Sequence, residues 1–185
     1  MREIASKGQL RLAFMRWAVV TVPFIVLLGF FSARLAPSGD ENPWFLQLAK
    51  PAMMPPGIAF PIAWTVLYVL MGLALAMIIN ARGSTLRGPA LVVFAAQMAV
   101  NLTWSPVFFG MHQVVPALVI IAIMFVLALI TTILFWRIRV GAGVLLLPYL
   151  AWIVFAGVLL YQIHVLNPNA ASLVPSRSAD QIQIH

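Results

Sequence analysis

The sequence predicts an all-α protein: an integral membrane bundle of five transmembrane helices with a short helix in the first outer loop. Of its 185 residues, 63% are hydrophobic, and the mean hydropathy is +1.04. Only 8% are charged, against roughly 25% in an ordinary soluble domain. Five stretches each hold about the 20 mostly apolar residues that a spanning helix needs. We therefore expect neither a soluble enzyme nor a nucleic-acid partner, although the net charge is +7.

The five spans are separated by charged or Pro/Gly-rich breaks. Each is predicted to be helical, because backbone polar groups in hydrocarbon must hydrogen-bond within their own segment. The first could instead be a cleaved signal peptide, but its apolar run exceeds the usual length of about 7–15 residues and no small-residue cleavage site follows. We interpret it as a retained helix. The predicted spans cover residues 17–35, 58–79, 89–109, 114–136 and 141–165.

Lys and Arg are distributed unevenly between the two sides of these spans. Arg34, Lys50 and Arg177 fall on one side, and eight basic residues fall on the other. The richer side is normally cytoplasmic, so the N-terminus is predicted inside and the C-terminus opposite. The chain then divides into a basic N-terminal arm (1–16), a membrane domain (17–167) and a polar, disordered tail (168–185). The eight are Arg2, Lys7, Arg11, Arg16, Arg82, Arg87, Arg137 and Arg139.

Carboxylates and thiols are absent where catalysis would need them. No Asp or Glu occurs in residues 42–179, and the chain has no Cys. The spans therefore carry no carboxylate acid, base or hard-metal ligand, and no charge that could couple transport to an ion gradient. We expect no metal site. Axial haem ligation by His164 is a minor alternative, because a lone interfacial His is more often solvated.

The first outer loop, residues 36–57, is predicted to contain a short helix. Asn42 can cap a short helix, Pro43 suits its first position, and Pro51 stops it. Trp44 gives that helix an apolar side. Two interpretations remain open: an interfacial anchor with Trp44 in the aromatic belt, or a lid over the outer end of the bundle.

The third span carries a polar stripe. Gln97, Asn101, Trp104 and Phe108 fall at i, i+4, i+7 and i+11, which is one helical face. Two amides in hydrocarbon are costly and should face the bundle interior. Their simplest role is to join helices by hydrogen bonds.

Aromatic residues converge on the same outer half. Trp64 and Tyr68 share a face of the second span, and Trp152 lies about nine residues into the fifth, where its indole N–H needs a partner in the protein or in a ligand. Ordinary packing is one interpretation. The other is a cavity for a flat, largely apolar ligand beneath the loop. Small residues on the third span, Ala95 and Ala99, could serve a homodimer.

Several ordered motifs resemble those of the TspO/MBR family, the translocator proteins and tryptophan-rich sensory proteins. Residues 44–72, WFLQLAKPAMMPPGIAFPIAWTVLYVLMG, are similar to the family's first loop and second helix. The similarity continues through Gln97, Asn101 and the segment WSPVFFG (104–110), and through PYLAW (148–152). It covers about residues 17–167.

The resemblance implies a five-helix bundle, often dimeric, in a bacterial cell membrane, with a pocket under the first loop. It implies a porphyrin such as protoporphyrin IX or haem as ligand, and no required cofactor. Trp64 and Trp152 match two pocket tryptophans linked in some members to light-dependent porphyrin degradation, so they are the candidate catalytic residues. Other family pocket or loop positions are matched by Pro51, Tyr68, Asn101, Trp104 and Ala156, and Lys50 could meet the propionates.

The chain departs from the family pattern at several positions. Met53 replaces a loop Trp, Pro116 and Ile120 stand where a Trp and an Asp are common, and the proposed sterol motif finds His164 where Lys or Arg is needed. We therefore do not expect sterol binding. Three functions are carried forward: a tetrapyrrole-binding sensor, scavenger or carrier; a light-dependent porphyrin-degrading enzyme; and a regulatory or structural membrane subunit.

Overall fold

The computed structural model describes residues 7–173, and all regular structure within that range is helical. Five helices are long and apolar enough to cross a membrane, as predicted, and a sixth, short helix lies in the first loop. The predicted five-helix membrane bundle with a loop helix is therefore confirmed. The helices are α1 (Lys7–Arg34), α2 (Pro43–Gln47), α3 (Ala59–Ile79), α4 (Arg87–Ser105, continued by a π-helical turn over Pro106–Gly110), α5 (Val114–Ile138) and α6 (Val140–Leu166).

The long helices form a ring in the order α1–α3–α6–α5–α4. The most extensive packing joins α1 to α3 and α5 to α6, and a smaller contact between α4 and α1 closes the ring. The outward-facing side chains are mostly apolar on every long helix, as expected for a surface in contact with lipid. Examples of exposed residues are Phe24, Val66, Val92, Ile123 and Val154.

The ends of the ring differ in character. The loop end contains the α1–α3 connection and the residues after α6, and the basic end contains the start of α1 and the α3–α4 turn. Helix α1 begins at Lys7, ten residues before the predicted span, so the described part of the predicted arm is helical. The reason is local: residues 9–16 are mostly good helix formers and contain no breaker. Residues 1–6 lie outside the described range.

The α5–α6 connection is a single residue. Arg139 adopts an extended conformation (φ −149°, ψ 111°), and its N–H donates to the Phe135 carbonyl at 2.7 Å. Its own carbonyl accepts the Ala142 N–H at 2.9 Å, so one residue ends α5 and begins α6. Gly143 permits this tight reversal, because a Cβ there would lie 2.7 Å from the Cβ of Trp136.

The segment after α6 is ordered where we expected disorder to begin. Residues Ala170–Leu173 form a 3-10 turn, and Ala170 is buried. The expectation fails here because this segment packs beneath the loop, a contact that local composition does not reveal. The rest of the predicted disordered tail, residues 174–185, lies outside the described residues.

Candidate functional site

The first loop is fastened to the bundle by Asn42. Its Oδ1 accepts the N–H of Phe45 at 3.0 Å, which confirms the predicted helix cap. Its Nδ2 donates to the carbonyl of Phe109 at 2.9 Å and to that of Pro37 at 2.8 Å. One buried amide therefore both starts α2 and joins the loop to the end of the α4 segment.

Trp44 anchors the loop into the interior of the protein. Only 1% of the residue is exposed, and its indole N–H donates to the Ala170 carbonyl at 2.7 Å. Its ring centroid lies 5.3 Å from that of Phe108 and 4.8 Å from that of His112. Because Trp44 is enclosed by protein, the structure favours the lid over the interfacial anchor.

The predicted loop residues Lys50 and Pro51 follow a second attachment point. Asn167, at the end of α6, bonds both the N–H and the carbonyl of Ala49. Pro51 is buried, whereas Lys50 is exposed with its ammonium 4.8 Å from the centroid of the Phe45 ring. Lys50 thus lies on the outer side of the closed loop.

A buried polar network joins four helices at the centre of the bundle. Tyr68 on α3 donates to the Oδ1 of Asn101 on α4 at 3.1 Å. The Tyr149 hydroxyl on α6 accepts from the Asn101 Nδ2 at 2.9 Å and from the Gln97 Nε2 at 2.6 Å. The Asn101 Nδ2 also lies 3.2 Å from the sulfur of Met124 on α5. The two amides join helices, which is their simpler predicted role.

Aromatic rings on α3 and α6 extend from the two tyrosines of this network toward the loop. We call them the aromatic ladder: Phe60, Trp64, Tyr68, Tyr149 and Trp152. Trp64 stacks on Tyr68 with centroids 5.3 Å apart and meets Tyr149 at 6.4 Å. Phe60 meets Trp152 edge to face at 5.9 Å. The alignment of the α3 rings follows from their spacing, because Phe60, Trp64 and Tyr68 are four residues apart and lie on one helical face.

Three indole N–H groups in the loop half of the bundle lack acceptors within residues 7–173. Trp64 and Trp152 are half-buried, and neither donates a hydrogen bond to another residue in the described range. The Nε1 of Trp104 is fully buried and likewise has no partner there. A desolvated donor without an acceptor is costly, which applies to the Trp104 Nε1. All three N–H groups are available to a ligand that supplies acceptors.

The predicted site residues lie at separate positions in the loop half of the bundle. Ring and hydrogen-bond contacts join Trp64 and Tyr68 to Asn101, whereas Trp152 contacts Phe60, one turn before Trp64 on α3. Trp104 instead stacks on Phe108 at 5.2 Å, in the aromatic cluster beneath Trp44 and Phe45. Ala156, half-buried, lies one helical turn beyond Trp152 toward the loop end. The separation arises because Trp104 lies one turn nearer the loop than Asn101.

Tyr149 is a central residue that sequence reasoning missed. It is 1% exposed, and its hydroxyl accepts a hydrogen bond from each of the two side-chain amides of the network. Two signals could have revealed it: a hydroxyl inside a span requires a partner, and Tyr149 precedes Trp152 by three residues on the same face. Within residues 7–173, no group of three or more His, Cys, Asp and Glu side chains could hold a metal ion.

These features define a multi-pass membrane protein whose interior combines an amide–tyrosine network with an aromatic ladder beneath a tethered loop. Residues 19–166 match the sequence model of the TspO/MBR family, and the chain belongs to that family. The tryptophan-rich sensory protein of Cereibacter sphaeroides is 41% identical over 155 residues, covering 81% of this chain and 96% of its own. The tryptophan-rich protein TspO of Chlorobaculum tepidum is 35% identical, covering 76% of this chain and 89% of its own. The human translocator protein is 31% identical, covering 75% of this chain and 88% of its own.

Proposed function

We propose that this protein binds a tetrapyrrole, such as protoporphyrin IX or haem, between α3 and α6 beneath the loop. One observation carries the proposal: Trp64 and Trp152 are half-buried on facing helices, and neither indole N–H is bonded within the described chain. Indole faces suit a flat π system, and free indole donors suit a ligand that has acceptor atoms at its edge. No cofactor is needed for binding alone.

The remaining site residues take roles from their positions. Asn101 is engaged by Tyr68 and Tyr149, so it forms the floor of the site. Ala156 is small and half-buried one turn from Trp152, so its side chain would leave room for a ligand edge. Trp104 offers its unpartnered N–H from the adjacent cluster. With the loop lifted, Lys50 could turn from Phe45 toward an acidic ligand edge, and Pro51 would form part of the roof.

Titration of the purified protein with protoporphyrin IX, followed by tryptophan fluorescence, tests the proposal. Replacing both rings in a Trp64→Phe, Trp152→Phe variant should raise the Kd by about tenfold, since each aromatic contact is worth about 0.5–1.5 kcal/mol. Trp136→Phe is the matched control, because Trp136 is exposed at the basic end. Unchanged affinity in the double variant would contradict the proposed role of these rings.

Light-dependent breakdown of the bound porphyrin is a second candidate. The favouring observation is that Trp64 contacts Tyr68 and Tyr149, which places three oxidisable rings together. Such a reaction would need light and molecular oxygen as oxidant. Loss of porphyrin absorbance in light but not in darkness, abolished by Trp152→Phe, would support it. A regulatory or structural subunit, the third candidate, predicts no saturable porphyrin binding at all.

We further infer the membrane setting and the assembly. The excess of Lys and Arg at the basic end favours that end on the cytoplasmic side, in a bacterial cell membrane where the protein acts as a sensor, scavenger or carrier. The names of the relatives, sensory and translocator proteins, agree with such a role. Ala95 and Ala99 are exposed on α4, which suits close approach of a second copy. Replacing both with Leu should shift a dimer to monomer in detergent, whereas Ala122→Leu on α5 should not.

A further inference from the structure

A groove of about 660 Å³ lies at the basic end, away from the ladder and the loop. It is formed where α1 passes the α3–α4 turn. Leu12, Met15, Val19 and Val20 supply an exposed apolar wall along α1. Arg16, from the same helix, and Arg82, from the turn, reach the same groove although they are far apart in sequence.

Within residues 7–173, the arginines of this groove have no acidic partner. In the described range the acidic residues are Asp40 and Glu41, and both lie in the loop at the opposite end. Arg87 begins α4 at the basic end, and its buried Nε finds no hydrogen-bond partner in that range either. The groove therefore offers two exposed guanidinium groups to an external anion.

The groove changes from charged to apolar along the membrane normal. Val19 and Val20 lie about one helical turn, roughly 5 Å, deeper along α1 than Arg16. Trp17, which also lines the groove, is of the residue type that settles at the headgroup level. A free inorganic anion would satisfy the arginines but leave the apolar wall uncovered. An occupant with a phosphate and an acyl chain satisfies both.

We propose that this groove binds one anionic phospholipid, with its phosphate between Arg16 and Arg82 and an acyl chain along Val19 and Val20. A net negative headgroup is favoured over a zwitterionic one, because the two guanidinium groups meet no carboxylate among residues 7–173. Basic pockets beside transmembrane helices on the cytoplasmic side are a recurrent form of headgroup recognition. The site is independent of the tetrapyrrole proposal, since it shares no residue with the ladder.

Native mass spectrometry of the full chain, released from nanodiscs of mixed phosphatidylglycerol and phosphatidylcholine, tests the site. The unmodified protein should retain one phosphatidylglycerol in preference to phosphatidylcholine. An Arg16→Gln, Arg82→Gln variant should lose about tenfold or more of that occupancy. The matched control, Arg137→Gln with Arg139→Gln, removes the same charge at the same end outside the groove and should retain the lipid. Equal losses in the two variants, or no preference in the unmodified protein, would overturn the proposal.

Fluorescence gives a second measurement that does not depend on the arginine variants folding. Phosphatidylglycerol with a brominated acyl chain should quench the emission of the unmodified protein more than brominated phosphatidylcholine does. That difference should disappear in Trp17→Phe, because Trp17 is the indole that lines the groove. A difference that persists in Trp17→Phe would place the lipid elsewhere and overturn the assignment.

Discussion

The side-chain amide of Asn167 bonds both backbone polar groups of Ala49. Its Oδ1 accepts the Ala49 N–H at 2.8 Å, and its Nδ2 donates to the Ala49 carbonyl at 2.9 Å. The same Nδ2 donates to the Ile163 carbonyl at 2.8 Å, so Asn167 is itself held at the end of α6. Lifting the loop away from the ladder requires this pair to break.

Asn167→Ala should therefore loosen the loop. The variant loses three hydrogen bonds, two to Ala49 and one to the Ile163 carbonyl. Each bond to Ala49 is worth about 1 kcal/mol, although the exposed Ala49 groups regain water. We expect amide hydrogen exchange over residues 45–51 to accelerate by about tenfold, measured by mass spectrometry in nanodiscs. Asn169→Ala is the matched control, since Asn169 is exposed and its side chain bonds nothing in the described range. Equal acceleration in both variants would remove Asn167 from this role.

Tyr149→Phe should destabilise the bundle more than any other single loss of a tyrosine hydroxyl. Its hydroxyl accepts from both Gln97 and Asn101, and its removal leaves two buried donors short of an acceptor. We expect a loss of about 1–2 kcal/mol in the free energy of unfolding, measured by denaturant titration in detergent.

The comparison for that experiment is Tyr161→Phe. Tyr161 is on the same helix but is 60% exposed, so its loss should change stability by less than about 0.5 kcal/mol. Tyr68→Phe, which removes one bond to Asn101, should fall between the two. If Tyr149→Phe and Tyr161→Phe were equally stable, the network would contribute nothing to the bundle.

Much of this architecture is readable from the sequence, because its signals are local. Apolar runs of spanning length predict the five helices, and the Asn42–Pro43 pair predicts the loop helix. The stripe that includes Gln97 and Asn101 predicts the buried face of α4, and both residues are buried. Each of these inferences needs only neighbours within a single span of about 20 residues, or about six helical turns.

The features that escaped prediction depend on distant partners. The Trp44–Ala170 bond joins positions 126 residues apart, so no local pattern indicates that the start of the tail is ordered. Tyr149 lies in a helix that is apolar on every side, where no amphipathic period marks the inner face. Trp104 shares a helical face with Asn101, but spacing alone does not show that its ring packs in the aromatic cluster beneath Trp44 and Phe45.

Trp44→Phe and Trp104→Phe should differ in cost although both remove an indole. Trp44 donates to Ala170 and is 1% exposed, whereas the buried Nε1 of Trp104 has no partner in the described range. Trp44→Phe loses a hydrogen bond and buried volume, and should therefore lower the free energy of unfolding by about 2–3 kcal/mol. Trp104→Phe loses volume but relieves an unpaired donor, and should cost about 1 kcal/mol. Thermal unfolding in detergent would rank them, and the reverse order would contradict this account. A fall in porphyrin affinity in Trp104→Phe would further indicate that its N–H donates to the ligand.

Gly72→Ala should force α1 away from α3. A Cβ at Gly72 would lie 2.6 Å from the Cα of Val22, and the Gly72 carbonyl accepts the Thr21 hydroxyl at 2.7 Å. Backbone cannot yield as a flexible side chain can, so the helices must separate and the Thr21 bond lengthens. We expect a loss of about 1–3 kcal/mol in the free energy of unfolding. Gly83→Ala is a control of opposite sign: a Cβ there meets nothing within 4 Å, the φ of Gly83 is not positive, and Ala in place of Gly at such a position stabilises by about 0.4–1 kcal/mol through the unfolded state. Denaturant titration of both variants in the same detergent separates the clash with α1 from the general effect of replacing Gly by Ala. Alanine should be destabilising at Gly72 and stabilising at the control position, because only Gly72 lies at a close approach of α1 and α3.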